Sequence, residues 1–350
     1  MARGCLGPSL SGLVHSLEAD RVFVLIDRAV LTFHQERLNP LLSVIPSSRQ
    51  LIYDISEAKK NLETCVALWN ALEEEGATRH SLLINVGGGV LTDLGGFVAS
   101  VYKRGIRTIN IPTSLMGMVD AAIGGKTGID RQGIKNEIGS FHFPQAIVID
   151  PAFLRTLPEE ELLSGYVEVI KHSLLQGRAE WNSCRGIDPL LRDESMYTLI
   201  EESAAFKAKL IAQDPKEGGL RRKLNLGHTI GHAVESLALA DSNLPTLSHG
   251  SAVLIGLIAE AYVSCRQYGF PSKDLHDLVY WAREYYSPFP LKCKMYDRVI
   301  QFAMKDKKNR GNHISYIALR DVGDCVLDAT ISPDEIREGL DFYRETASIG

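Results

Sequence analysis

The stretch SLLINVGGGVLTDLGGF (residues 81–97) decides how the first half of the chain folds. It opens with an apolar run of strand length, breaks at three consecutive glycines, and resumes with helical spacing from Asp93. A strand that runs into a glycine turn and then a helix is the opening unit of a nucleotide-type parallel sheet. Glycines there let backbone N–H groups approach a pyrophosphate at the positive end of the helix. The spacing is not the usual G-x-G-x-x-G, and the same glycines would also serve a tight turn with close helix packing. Asp93 would repel a phosphate and suits a ribose hydroxyl or a nicotinamide amide better.

On either side, VFVLID (22–27) and RQLIYDI (49–55) read as strands, and NLETCVALWNALEEEGA (61–77) as a helix ending at Gly76. DLGGFVASVYK (93–103) continues as helix and RTINIPTS (107–114) as strand. This alternation predicts a parallel sheet with helices on both faces. After AIVIDPAFLRTLP (146–158) the character changes. PEEELLSGYVEVIKHSLL (158–175) opens on Pro158 and three glutamates, a strong helix start. Helical spacing then continues to about residue 310, with HISYIAL (313–319) as one strand. The expected fold class is an α/β N-terminal Rossmann-like nucleotide-binding domain over 1–150, followed by an all-α C-terminal domain over 151–350.

A chain of 350 residues has ample material for a core, and 45% apolar with 23% charged residues is ordinary for a globular protein. The net charge of −5 gives no global field for nucleic acid. The six cysteines are scattered without a Cys-x-x-Cys pair, which favours a reducing compartment. No run approaches the ~20 apolar residues of a membrane span, and VFVLI (22–26) is too short for a signal core. The default expectation is cytoplasmic, with neither membrane nor nucleic acid as partner.

Three further segments carry chemistry. MVDAAIGGKTGIDRQGIKNEIGS (118–140) presents Asp120, Lys126, Thr127, Lys135 and Asn136 among many glycines, and reads as a shaped loop whose lysines suit a phosphate. Glu168, Lys171 and His172 share one helical face, as a surface ion pair would or a ligand set could. Lys207, Arg221 and Asn225 precede NLGHTIGHAVES (225–236), where His228 and His232 stand four apart on one face. LSHG (247–250) adds His249 at another helix start. One glutamate and two histidines from separate helices leave open positions for substrate on a zinc ion, with His172 as a rival ligand by spacing.

Together these segments resemble the 3-dehydroquinate synthases of the shikimate pathway. The resemblance rests on GGGVLTDLGGF, KRGIRTINIPTSL, VDAAIGGKTGID, KNEIG, FLRTLP, SGYVEVIKH, GLRRKLNLGHTIGHAVE, LSHG and DKK, in that order from residue 87 to 308. It implies Glu168, His228 and His249 as ligands of zinc, with cobalt as a substitute, and His232 as a non-ligand histidine in proton transfer. The glycines beside the two histidines would allow close approach around the ion. NAD would lie against Gly88, Gly89 and Asp93, with Asp27, Glu57 and Lys60 toward the adenosine. Thr113, Ser114, Asp120, Lys126, Lys135, Phe153, Thr156 and Leu157 would complete that site. Lys126, Asn136 and Lys307 would hold the substrate phosphate, helped by Arg104 from a second subunit of a homodimer. Lys307 and Lys308 are adjacent rivals for that contact. Lys207 and Arg221 would hold a carboxylate, and Asp120, Lys171 and Asn225 would orient ring hydroxyls. Ala29 departs from the family's frequent asparagine, and the stretch between His232 and His249 is slightly longer than usual.

The implied reaction converts the sugar phosphate 3-deoxy-D-arabino-heptulosonate 7-phosphate to 3-dehydroquinate and phosphate. The competing readings are a related cyclase of the 2-epi-5-epi-valiolone or 2-deoxy-scyllo-inosose synthase type, a metal-dependent polyol dehydrogenase, and a non-catalytic binding module. The first two substrates lack the carboxylate, so Lys207 and Arg221 discriminate. A dehydrogenase would release NADH at each turnover and has no need of a phosphate cluster.

Overall fold

The computed structural model describes residues 8–131, 134–305 and 314–347. Contacts divide the chain into two units, Met1–Pro158 with Arg192–Ala208, and Glu159–Leu191 with Lys209–Gly350. The first unit therefore runs past residue 150 and takes back a later segment. Side chains explain both extensions. Arg37 Nη1 grips Asp150 Oδ2 at 2.6 Å, and His34 Nε2 lies 2.6 Å from Thr156 Oγ1. Arg192 donates to the Leu154 and Leu157 carbonyls at 2.8 and 3.0 Å.

The first unit runs α1 (Pro8–Ser16), β1 (Val22–Asp27), α2 (Arg28–Leu42), β2 (Gln50–Tyr53), α3 (Leu62–Glu74), β3 (Leu82–Gly87), α4 (Gly89–Val101), β4 (Arg107–Pro112), β5 (Lys126–Arg131), β6 (Ile134–Phe141) and β7 (Ala146–Ile147). Five strands form a parallel sheet in the order β2-β1-β3-β4-β7. Phe23 and Leu25 join α3 and α4 residues such as Leu68, Leu94 and Val98 in one core. Their neighbours Val24 and Ile26 are equally buried on the opposite face, as a doubly covered sheet requires. The chain leaves β1 toward β2 on one side and reaches β3 on the other. Ligands of such sheets bind beyond the carboxyl ends of the strands at that switch point.

One expectation is corrected here. The glycine-rich 118–140 segment is not simply a loop: it holds a short π-helical turn, Gly117–Ala121, and then the antiparallel hairpin β5–β6. Gly128 and Gly139 face each other in register, and a Cβ on Gly139 would lie 2.4 Å from the Thr127 carbonyl oxygen. Glycine lowers strand propensity in isolation, yet here it allows the close backbone approach that builds the hairpin.

The second unit contains α5 (Glu159–Gln176), α6 (Arg178–Arg185), the last turn of α7 (Glu194–Gln213), α8 (His228–Leu239), α9 (His249–Tyr268), α10 (Ser272–Tyr285), α11 (Tyr296–Met304), β8 (Ile314–Asp321), β9 (Asp324–Ile331) and α12 (Pro333–Ala347). α9 is the central helix, touching α5, α8, α10, α12 and β8. The unit is helical but not all-α, because the expected single strand pairs with a second one through a turn at Gly323, φ +88°. Asp324 and Asp328 interrupt the apolar pattern of β9 and hide it from a reading by periodicity. No helix among the described residues is long and apolar enough to cross a membrane.

Candidate active site

The carboxyl ends of β1, β3 and β4 carry Asp27, Gly88, Gly89, Thr113 and Ser114 of the residues expected at a nucleotide. Asp27 ends β1 and caps α2, its Oδ1 accepting the Ala29 N–H at 3.0 Å. Burial raises its carboxyl above the ordinary range. Gly88 caps α4 between β3 and Gly89, so this helix start presents backbone N–H groups with no side chain in front of them. Thr113 and Ser114 follow β4 and are buried, Thr113 N–H donating to the Gly87 carbonyl at 3.0 Å.

Lys60 organises the rest of this edge. Its buried Nζ donates to Asp93 Oδ2 and to Asn136 Oδ1, both at 2.7 Å. Its carbonyl accepts the Asp130 N–H at 2.7 Å, and Asp130 Oδ1 accepts the Asn136 N–H at 2.8 Å. Lys60 thereby ties α4 to the tip of the β5–β6 hairpin. Burial raises the Asp93 carboxyl, and the Lys60 ammonium opposes that rise. Lys135 pairs with Glu57 at 3.3 Å, while Lys126 is exposed at the start of β5. Asp120, in the π-helical turn, receives the Lys207 ammonium on Oδ1 at 2.6 Å.

Phe153, Thr156 and Leu157 lie in or just after a 3₁₀ helix, Pro151–Thr156. The sequence reading missed their neighbour His34, which sits at a kink in α2 and stacks edge-on against Phe153 at 4.9 Å. Arg104 is exposed, in a run where Lys103, Arg104 and Gly105 have φ of 48°, 69° and 112°. Consecutive left-handed residues other than glycine are costly and occur where the surroundings demand a particular presentation.

In the second unit, α8 and α9 each begin with a histidine, His228 and His249. The helices cross so closely that a Cβ on Gly256 would stand 1.9 Å from the Gly227 carbonyl oxygen. Gly227 itself has φ +77°, and a Cβ there would meet Leu257 at 2.6 Å. A Cβ on Gly231 would lie 2.9 Å from the Ala252 carbonyl oxygen. The glycines beside His228 and His232 thus admit the neighbouring helix and bring α9 close to the histidines. With glycine as its cap residue, α8 has no side-chain cap of its own. Glu260 of α9, fully buried, supplies one: Oε2 accepts the Gly227 N–H at 2.7 Å and Oε1 the Ile230 N–H at 2.9 Å. A carboxylate there meets two orphan donors and the positive helix end.

Glu168 comes from α5 and is fully buried, with Oε1 3.7 Å from His228 Nε2 and 3.9 Å from His249 Nε2. These separations exceed a hydrogen bond. Lys171 pairs with Oε2, and among the described residues Oε1 accepts no hydrogen bond. His228 Nδ1 is 3.0 Å from the Leu226 carbonyl, which places the proton on Nδ1 and leaves the Nε2 lone pair toward Glu168. A dehydrated carboxylate oxygen facing two imidazole nitrogens is a donor set that fits zinc or cobalt.

His232 completes a triangle of rings, with centroids 5.0 Å from His228 and 5.7 Å from His249. Nitrogens of all three histidines lie within 4.8 Å of one another, so distance alone does not separate ligand from proton carrier. His172 is fully buried on α5, a turn beyond Glu168.

Arg221 and Asn225 lie in the 3₁₀ helix Leu220–Asn225, before α8. Asp214, unremarked in the sequence, holds this approach: its carboxylate accepts the N–H groups of Gly218, Gly219 and Arg221 at 2.8–3.0 Å. Arg221 is buried with Nη1 on the Pro215 carbonyl at 2.7 Å, and Asn225 donates to Glu217 at 2.7 Å. Lys307 and Lys308 lie outside the described residues.

A doubly wound unit with a glycine turn at its switch point, and a helical unit with a carboxylate–imidazole cluster, define a nucleotide- and metal-binding class of protein. Residues 50–164 match the 3-dehydroquinate synthase N-terminal family and residues 165–309 the C-terminal one. The chain is 42% identical over 348 residues to a 3-dehydroquinate synthase of Parabacteroides distasonis, covering 98% of this chain and 97% of that one. It is 38% identical to that of Geobacillus thermodenitrificans, covering 92% and 88%. Among solved structures, a 2-epi-5-epi-valiolone synthase of Streptomyces hygroscopicus subsp. jinggangensis with NAD+ and Zn2+ bound superposes with TM-score 0.84 at 28% identity, covering 97% and 95%. The chain belongs to the 3-dehydroquinate synthase family.

Proposed function

We propose that the chain converts 3-deoxy-D-arabino-heptulosonate 7-phosphate to 3-dehydroquinate and phosphate, using NAD and a divalent metal, zinc or cobalt. The observation that carries this is the buried Glu168 oxygen facing His228 and His249, in a chain closely related to 3-dehydroquinate synthases. When bound, NAD supplies reversible hydride transfer at the C5 hydroxyl and the metal supplies Lewis acidity there. Glu168, His228 and His249 would hold the metal, and His232 would move protons beside it. The nucleotide would lie along Asp27, Glu57, Lys60, Gly88, Gly89, Asp93, Thr113, Ser114, Asp120, Lys126, Lys135, Phe153, Thr156 and Leu157.

The chain's own residues manage charge. Lys126 and Asn136 would bind the phosphate, with Lys307 as a further contact, and their positive and polar groups favour its departure once C5 is a ketone and the C6 proton is acidic. The departing phosphate can itself take that proton, so no dedicated carboxylate base is required. Lys207 and Arg221 would receive the substrate carboxylate, and Asp120, Lys171 and Asn225 would orient ring hydroxyls. A homodimer, with Arg104 of one subunit serving the phosphate of the other, and a cytoplasmic setting belong to this reading.

The valiolone synthase fold match supports a second reading, a cyclase acting on a sugar phosphate that lacks the carboxylate. Phosphate release measured side by side separates the two. Turnover with the heptulosonate phosphate and none with sedoheptulose 7-phosphate is expected. The reverse preference sinks the synthase reading.

A further inference from the structure

We infer that Glu235 is a positioning residue for the metal centre: its carboxylate accepts a hydrogen bond from the Nδ1–H of His249 and so aims the opposite ring nitrogen, Nε2, at the ion. The inference rests on the reading of Glu168, His228 and His249 as ligands. Three observations support it. Glu235 Oε2 lies 3.4 Å from His249 Nδ1, on the side of the ring away from Glu168. The Glu235 side chain is only 7% exposed, so its carboxylate is largely stripped of water and gains from an N–H donor. His249 is the ligand that packing restrains least, with its side chain 33% exposed against 11% for His228 and 0% for Glu168.

The two histidines are thus oriented by different means. His228 gives its Nδ1 proton to a backbone carbonyl two residues back, which the start of α8 fixes. His249 begins α9 and finds its partner on another helix, since Glu235 lies on α8 two turns beyond His228. One helix therefore carries His228 and His232 and also the group that holds the third imidazole. Carboxylate–histidine pairs of this kind fix tautomer and ring angle at metal sites, and their loss weakens metal binding about 10- to 100-fold.

The test uses the full chain with Glu235→Gln and Glu235→Ala. Zinc affinity is measured by competition with a chromophoric chelator, and the visible bands of the cobalt-loaded protein are recorded. Glu235→Ala should bind zinc about 10- to 100-fold more weakly and shift the cobalt bands, while the metal-free melting temperature and NAD affinity stay put. Glu235→Gln, whose amide oxygen still accepts the imidazole proton, should recover most of the affinity. Should Glu235→Ala fold poorly, Glu235→Leu, similar in size but unable to accept the imidazole proton, should show the same weakened zinc binding, and wild-type affinity there overturns the role of Glu235. Wild-type affinity in Glu235→Ala, with zinc lost in His228→Ala, overturns the role of Glu235 and leaves the metal site standing. Equal, complete loss in the Gln and Ala variants makes Glu235 a direct ligand and overturns positioning. A wild-type protein that takes up no zinc overturns both.

Discussion

At the scale of single residues, His228 and His232 share a helix face and a ring contact yet are assigned different work. His228→Ala or His249→Ala should lose metal and activity together, whereas His232→Ala should keep the metal and lose turnover. Metal analysis of the purified variants decides it, and zinc retained without His228 would mean a different ligand set. On the nucleotide edge, Lys60→Met should free Asp93 and Asn136 at once. NAD affinity should then fall by roughly tenfold, the scale of losing one or two charge-assisted hydrogen bonds, and an unchanged dissociation constant by calorimetry would count against the network. The carboxylate–imidazole cluster was legible as a candidate because metal chemistry admits few residue types and the spacing put Glu168, His228 and His249 on helices; which of its members bind the ion is what the variants decide. Glu235, Glu260, Asp214 and His34 were not legible. Each acts through a partner brought near by tertiary packing, and only Glu260, a lone charge inside the apolar run IGLIAEAYV, left a trace.

At the scale of elements, the α8–α9 crossing is set by backbone approach. Gly256→Ala would push a methyl into the Gly227 carbonyl, an overpacking cost of about 2–3 kcal/mol. The thermal midpoint should fall by roughly 3–4 °C, with weaker zinc binding because His228 sits at that crossing. A midpoint within a degree of wild type would show that the helices separate freely. The 214–221 turn responds to pH. Backbone N–H donors, Gly219 first, hold the Asp214 carboxyl below its ordinary value. A depressed carboxyl stabilises at neutral pH, and that contribution is lost as pH falls below about 4 toward the folded value. Amide exchange at Gly218, Gly219 and Arg221 should therefore be slow at pH 7 and accelerate, beyond its intrinsic rate, only in acid. Asp214→Asn should show the fast behaviour at pH 7. Periodicity disclosed β1, β3, β4, α3 and α5 because each buries a regular face. It missed the β5–β6 and β8–β9 hairpins, where cross-strand glycines in one and acidic interruptions in the other erase the pattern.

At the scale of the whole molecule, the alternating first half and helical second half were legible from the switch in period. The return of Arg192–Ala208 to the first unit was not, since it rests on side chains such as Arg192 and Lys207. The proposed homodimer has its own test. Protomers carrying Arg104→Ala, mixed with protomers dead at His228→Ala, should form hybrids in which the first receives an intact arginine from the second. Activity should reappear once exchange is confirmed, and its absence would place Arg104 in its own subunit's chemistry or outside it. The proposed synthase oxidises and then reduces its substrate within one cycle. The most direct measurement follows inorganic phosphate and absorbance at the NADH band together during turnover of the heptulosonate phosphate. One phosphate per product with no net rise in NADH is expected. A steady NADH rise matching product one for one would contradict it and favour a dehydrogenase.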